Sequence, residues 1–221
     1  MVTTEGPSLP LAAGVSRVEN NRSFKKFDLV TTAISGKNIA QISVPALRPE
    51  KLSIRMILRG ATAANHEIVD AAFGRFSLTS ATSYSQFLSA HARILGPLES
   101  AVAGLWDASI ARFPLLKADL GELGTAVPSG AAFAPMSEAR RWGMLYVLEG
   151  SRLGGGILAG RVAAGLPVRY LSARHEGGSW GRFGEALELA GASQNAAWHE
   201  DVIAGAKIAF ARFAESAESN S

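Results

Sequence analysis

The stretch RRWGMLYVLEGSRLGGGILAGRVAAG, residues 140–165, decides the fold. Its apolar residues are typical of a helix, yet four glycines lie in its middle: Gly150, Gly154, Gly155 and Gly156. Each glycine costs a helix interior about 1 kcal/mol relative to alanine. Four glycines in one helix therefore indicate that its backbone lies close to another group or that the helix bends there.

Gly143, Gly150 and Gly154 are seven and four residues apart, so they share one face of this helix. Without Cβ atoms that face is bare, and large apolar residues flank it. A bare strip between bulky side chains fits a flat, wide ligand. Close packing of a second helix explains the same spacing, so the glycines alone leave both interpretations open.

Composition limits the fold and the chemistry. The chain has 221 residues, of which 48% are hydrophobic and 19% charged, so it can bury a large core as one domain or one domain plus an extension. No apolar run reaches the ~18 residues of a membrane-spanning helix. The chain has no cysteine, which excludes disulfides and thiolate metal sites and indicates a reducing, cytoplasmic compartment.

The positive charge is concentrated at the start of the chain. The net charge is +3, and residues 1–55 hold eight basic residues against four acidic ones. The rest of the chain is close to neutral. A nucleic-acid-binding protein usually carries a basic face on its folded body, so we expect no nucleic-acid partner.

The helical period begins near residue 51. Residues 1–50 show no sustained helical spacing and no signal peptide, and we predict a disordered N-terminal extension there. We predict an all-α single domain over residues 51–217, with a short tail over 218–221. The expected helices cover 51–76, 83–110 with a kink at Pro97, 115–123, a glycine-rich helix capped by Ser137, 182–190 and 194–217.

The first predicted helix carries a candidate metal ligand. Arg59 lies seven residues before His66 on one face, and Asp70 lies one turn after it. A carboxylate at that position can accept the ring N–H and orient the imidazole. A cation, an imidazole and a carboxylate in one line fit a haem, with histidine on the iron and the cation on a propionate. A surface histidine between solvated charges remains the alternative.

Two segments resemble the haem oxygenase family. LRGATAANHEIVDAAF, residues 58–73, is similar to its proximal helix, and YVLEGSRLGGGIL, residues 146–158, is similar to its distal helix. The likeness is closest to the bacterial, biliverdin-producing type found beside bacteriophytochromes. Residues 84–99 and 201–213 look like further helices of that family. The resemblance implies a haem-oxygenase-like helical bundle.

The resemblance also implies roles for individual residues. His66 is expected to be the proximal ligand of the haem iron, with Asp70 supporting it. Arg59 is expected to face a haem propionate. Gly150 and Gly154 are expected to form the distal backbone that lies against the haem.

Further roles come from the segment at and after the distal helix. Arg182 is expected to pair with a propionate, and Tyr170 and Trp180 are expected to close the pocket. Ser151 is assigned to the catalytic site, although many members have an aspartate there that holds a water network. This departure leaves the proton route and the position of ring cleavage open.

The implied activity is cleavage of haem to biliverdin, Fe²⁺ and CO, with O₂ and electrons from a ferredoxin or a flavin reductase. A bacteriophytochrome is a candidate partner. The alternatives are a non-catalytic haem or biliverdin binder on the same fold, and a haem-free helical enzyme of the same superfamily, such as a thiaminase-like or quinone-cofactor enzyme. No chemistry is assigned to three histidines: His91, His175 and His199.

Overall fold

Eight helices make up the part of the chain that the computed structural model describes, residues 53–173 and 176–219, and these ranges contain no strand. The helices are α1 Ile54–Ala61, α2 Ala63–Gly74, α3 Ala81–Val102, α4 Phe113–Glu122, α5 Glu138–Ala159, α6 Arg169–Ser172, α7 Ser179–Gly191 and α8 Ala196–Glu218. The predicted all-α fold is confirmed. The predicted extension over residues 1–50 lies outside the described residues. None of the helices in these ranges is long and apolar enough to cross a membrane.

The glycine-rich helix is α5, and its start is as predicted. The Ser137 side chain accepts a hydrogen bond from the Arg140 backbone N–H at 3.3 Å, which caps the helix. The same hydroxyl donates to Asp201 on α8 at 2.8 Å. The helix ends at Ala159 and not near residue 165, because the chain turns at Gly160.

Helices α5 and α8 cross with their backbones in contact. A Cβ atom added at Gly143 would lie 1.9 Å from the Val202 carbonyl oxygen, and one added at Gly205 would lie 1.9 Å from the Arg140 carbonyl oxygen. Neither helix could approach so closely with a larger residue at these positions. The helix-packing interpretation of the glycine face is therefore correct for Gly143.

The first predicted helix is divided into α1 and α2 at Thr62. Its Oγ1 donates to the Leu58 carbonyl oxygen at 2.7 Å, and its backbone N–H bonds the same oxygen at 2.9 Å. Threonine bonded back to the preceding turn bends helices. The single continuous helix predicted from residue 51 is therefore wrong at this point.

The second predicted helix ends earlier than expected. Helix α3 accommodates Pro97 and stops at Val102, and Gly104 then adopts a φ of +77°, which ends helical geometry. Residues 103–112 are turns and irregular chain, so the helix predicted to reach Ile110 is wrong there. This irregular segment brings Arg112 inward, where it is buried.

Candidate functional site

A cavity of about 450 Å³ opens between α2, α5 and α8, with side chains from α3 and α6 closing its inner end. Its volume lies within the ~300–1,000 Å³ typical of ligand pockets. Six of the residues predicted from the sequence line it: Arg59, His66, Asp70, Gly150, Ser151 and Gly154. Tyr170 and Trp180, expected to close the pocket, also line it.

The residues of α2 form one side of the cavity, which we term the histidine wall: His66, Val69 and Asp70. His66 Nδ1 lies 3.0 Å from Asp70 Oδ2. Because an ionised carboxylate only accepts hydrogen bonds, Nδ1 is the donor in this pair, and Nε2 is the nitrogen left to ligate a metal. The His66 ring also contacts Phe210 of α8 edge-on, with centroids 5.8 Å apart. The arrangement presents an oriented imidazole whose Nε2 can ligate a metal.

A second part of the lining, which we term the glycine wall, consists of Gly150, Ser151 and Gly154 on α5. A Cβ atom added at Gly150 would lie 3.6 Å from the Trp180 ring, and one added at Gly154 would meet nothing within 4 Å. The backbone at Gly154 therefore faces open space. A flat ligand can lie directly against it, as the ligand interpretation of the glycine face requires.

Arg59 reaches the cavity from α1, whereas Arg182 does not. Burial raises the pKa of the Tyr146 hydroxyl, and the nearby positive charges of Arg59 and Arg55 oppose that rise. Arg59 is thus close enough to α5 to act on groups in the cavity. Arg182 is exposed on α7 and donates to the Gly177 carbonyl oxygen at 3.2 Å, outside the lining. Its role toward a propionate stays a prediction.

The sequence analysis missed Arg112, which lies behind Ser151. Its side chain is only 2% exposed. Its Nη2 donates to Ser151 Oγ at 2.6 Å and to the Leu148 carbonyl oxygen at 3.0 Å. The guanidinium also stacks over the Tyr170 ring, 5.3 Å from its centroid. No spacing in the sequence indicates this position, because it depends on the irregular chain after α3.

A buried ion pair fastens the same irregular segment to α5. Arg152 Nε lies 3.0 Å from Glu149 Oε2, with the two side chains 3% and 1% exposed. Arg152 also donates to the Ile110 carbonyl oxygen, and Ser109 donates to Glu149. Burial lowers the pKa of the Arg152 guanidinium, and the Glu149 carboxylate opposes that shift. The pair is structural support beneath the glycine wall.

A second histidine, His91 of α3, lines the inner end of the cavity. Its ring lies 4.3 Å from both Phe73 and Phe87, measured between centroids. Its Nδ1 donates to the Phe87 carbonyl oxygen at 2.9 Å. Burial lowers the pKa of His91 to about 4. The ring is therefore neutral near pH 7 and forms part of an aromatic floor.

Helix α6 is held so that Tyr170 faces the cavity. The buried Asp119 of α4 accepts hydrogen bonds from the backbone N–H groups of Tyr170 at 2.9 Å and Arg169 at 3.3 Å. The carboxylate thus satisfies N–H groups at the start of a short helix that would otherwise lack partners. Sequence reasoning placed this segment in a connection and predicted no helix there.

Comparisons with known proteins agree with this architecture. No protein-family model matches the chain. A haem oxygenase of Xanthomonas campestris pv. campestris (strain 8004) is 36% identical over 147 residues, which cover 60% of this chain and 87% of that protein. The fold is similar to that of the crystal structure of NO- and CO-bound haem oxygenase from Neisseria meningitidis, with a TM-score of 0.66 and 24% identity over 77% of this chain and 92% of that chain. Since the sequence match extends over most of its relative, the chain belongs to the haem oxygenase family.

Proposed function

We propose that the cavity binds haem between the histidine wall and the glycine wall and that the chain cleaves it to biliverdin. The observation that carries this proposal is that His66 of α2 and Gly154 of α5 line one cavity. One wall offers an oriented imidazole, and the other offers bare backbone with open space in front of it.

The residues fit a haem in three respects. His66 keeps Nε2 free for iron because Asp70 occupies Nδ1 at 3.0 Å. Arg59 supplies a cation for a carboxylate at the cavity edge. Phe73, Phe87 and Phe213 supply apolar surface for a macrocycle.

The chain's own residues orient the substrate and limit the space around it. Asp70 accepts a hydrogen bond from His66 Nδ1 and fixes the ring, so that Nε2 would be offered to the iron of bound haem. Gly150 and Gly154 let the ring approach main chain, and Trp180 and Tyr170 limit access of water. When bound, haem supplies the iron that activates O₂ and the porphyrin ring that is opened, with release of Fe²⁺ and CO.

The reaction needs electrons, and we propose a ferredoxin or a flavin-dependent reductase as their source. The use of the product by a bacteriophytochrome and a cytoplasmic location also stay predictions.

Product analysis after a single turnover tests the proposal. Purified protein is loaded with one equivalent of haem and supplied with O₂ and a reductant. We expect the Soret band to give way to biliverdin absorption, with CO trapped by ferrous myoglobin. Persistence of the Soret band would indicate a haem carrier, and no Soret shift on titration would exclude haem binding.

A further inference from the structure

Arg112 is an unusual arginine because it is buried and incompletely bonded. Its side chain is 2% exposed, and Nη2 serves both Ser151 Oγ and the Leu148 carbonyl oxygen. Its Nε is the one buried side-chain nitrogen or oxygen without a hydrogen-bond partner across residues 53–173 and 176–219. A guanidinium has five N–H donors, and a buried donor without a partner is rare in folded proteins.

The charge of Arg112 is not matched by a bonded carboxylate. The nearby Glu99 accepts hydrogen bonds from the backbone N–H groups of Arg112 and Phe113, at 2.6 and 3.2 Å, and not from the guanidinium. Burial raises the pKa of Glu99, and its hydrogen bonds and the nearby charges of Arg112 and Arg152 oppose that rise. The other buried carboxylate nearby, Glu149, is paired with Arg152. Within residues 53–173 and 176–219, the Arg112 guanidinium therefore has no carboxylate hydrogen-bonded to it.

This charge acts on groups that line the cavity. Burial lowers the pKa of His91 to about 4, and Arg112 contributes to that lowering. Burial raises the pKa of the Tyr170 hydroxyl, and Arg112 is the largest effect opposing it. Both residues line the same cavity as Arg112 and Ser151. The Arg112 charge therefore reaches groups that line the cavity.

Ser151 links the Arg112 guanidinium to the cavity, because it is bonded to Arg112 and lines the cavity. Its hydroxyl donates to the Leu148 carbonyl oxygen at 2.7 Å and accepts from Arg112. The same carbonyl already receives Arg112 Nη2, so the hydroxyl hydrogen can rotate away without leaving it unpaired. The serine is then a donor fixed in place by a cation.

We propose that Arg112 and Ser151 form a small-anion site at the glycine wall, which binds an anionic haem ligand in preference to a neutral one. It rests on the proposed function, because the anion is examined in the haem complex. Arg112 is here an anion-binding residue acting in part through Ser151.

The test compares an anionic and a neutral ligand in haem-loaded protein. Azide affinity of the ferric complex and CO affinity of the ferrous complex are measured by optical titration for the wild type, Arg112→Met, Arg112→Lys and Ser151→Ala. Loss of one charged hydrogen-bonding group from a buried site weakens anion binding roughly 10- to 100-fold. We expect that loss of azide affinity in Arg112→Met, a smaller loss in Arg112→Lys and Ser151→Ala, and CO affinity within about twofold of the wild type in all.

Arg141→Met is the matched control. Arg141 also bonds backbone carbonyls, with Nε 2.7 Å from the Ala101 oxygen and Nη2 2.7 Å from the Ala103 oxygen, but it does not line the cavity. Its azide affinity should equal that of the wild type. The infrared band of bound azide gives a second readout, which should shift in Arg112→Met and not in the control.

The outcomes separate this inference from the proposed function. Unchanged azide affinity in Arg112→Met, or an equal loss for azide and CO, overturns the anion site while haem binding and biliverdin formation stand. If Arg112→Met does not fold, Ser151→Ala decides by the same ratio of azide to CO affinity. Failure of the wild type to bind haem overturns both.

Discussion

The two walls of the cavity differ in how firmly the fold holds them. Ten of the 22 residues of α5 are buried, whereas no residue of α2 is fully buried. His66 and Asp70 are 63% and 68% exposed. Because burial of apolar surface supplies most of the stability of a helix in a protein, α5 is a fixed wall and α2 a loosely held one.

The difference indicates a division of tasks between the walls. A ligand that bonds His66 adds its own binding free energy to the attachment of α2. The glycine wall does not depend on a bound ligand for its position, because α5 is packed against α8 through backbone contacts at Gly143 and Gly205. Substitutions on the histidine wall should therefore change ligand binding, and substitutions deeper in α5 should change the fold.

The largest effect is expected from Gly143→Ala. The new Cβ would meet the Val202 carbonyl oxygen at 1.9 Å and the Ala206 nitrogen at 2.7 Å, and both are backbone atoms that cannot move aside alone. We expect a loss of about 3 kcal/mol in the free energy of unfolding, measured by urea denaturation. The matched variant Gly154→Ala, with free space at its Cβ, should gain up to about 1 kcal/mol from helix propensity. Equal stability of the two would contradict the backbone contact.

Next is His66→Ala, which should leave the fold intact and abolish the imidazole-ligated spectrum of bound haem. The side chain is mostly exposed, so the unfolding free energy of the haem-free protein should change by about 0.5 kcal/mol or less. His199→Ala is the control, since His199 lies in the first turn of α8 outside the cavity and bonds the Asn195 carbonyl oxygen. An unchanged spectrum in His66→Ala would remove His66 from the site.

Asp70→Asn tests whether orientation of the imidazole matters. The amide keeps the size of the side chain but loses the charge that holds the Nδ1 proton, so haem affinity should fall about tenfold. Glu67→Gln removes an exposed carboxylate from the same helix outside the cavity lining and should have no effect. Haem affinity is measured by titration of the Soret band. A similar loss in both variants would mean that the general charge of α2 is responsible.

The helical class and the residues of the two walls could be predicted from the sequence because both depend on residue spacing within single helices. His66 and Asp70 are one turn apart on one helix, as are Gly150 and Gly154, and all four line the cavity. Ser137 is a local signal as well, since an N-cap acts within its own turn.

The parts that the sequence did not predict depend on contacts between distant segments. Gly143 has the same local signature as Gly154, and only the crossing with α8 separates their roles. Arg112 enters the site because α3 ends at Val102 and the irregular chain after it is bonded to α5. Thr62 divides α1 from α2 through one side-chain bond to Leu58, which helix periodicity does not reveal.

The smallest effect is expected at the cavity edge, from Arg59→Met. An exposed cation facing a carboxylate contributes at most about 1 kcal/mol, so haem affinity should fall about threefold at low salt and less at high salt. The comparison variant is Arg182→Met, which removes an exposed arginine that lies outside the lining.

The pair of arginine variants decides between two descriptions of the edge. If only Arg59→Met weakens haem binding and reduces its salt dependence, Arg59 pairs with a haem carboxylate and Arg182 does not. An equal loss in Arg182→Met would support the propionate role predicted for Arg182. It would also require the Arg182 side chain to leave the Gly177 carbonyl oxygen and turn toward the ligand when haem binds, so that the ligand would order this edge of the cavity as it orders α2.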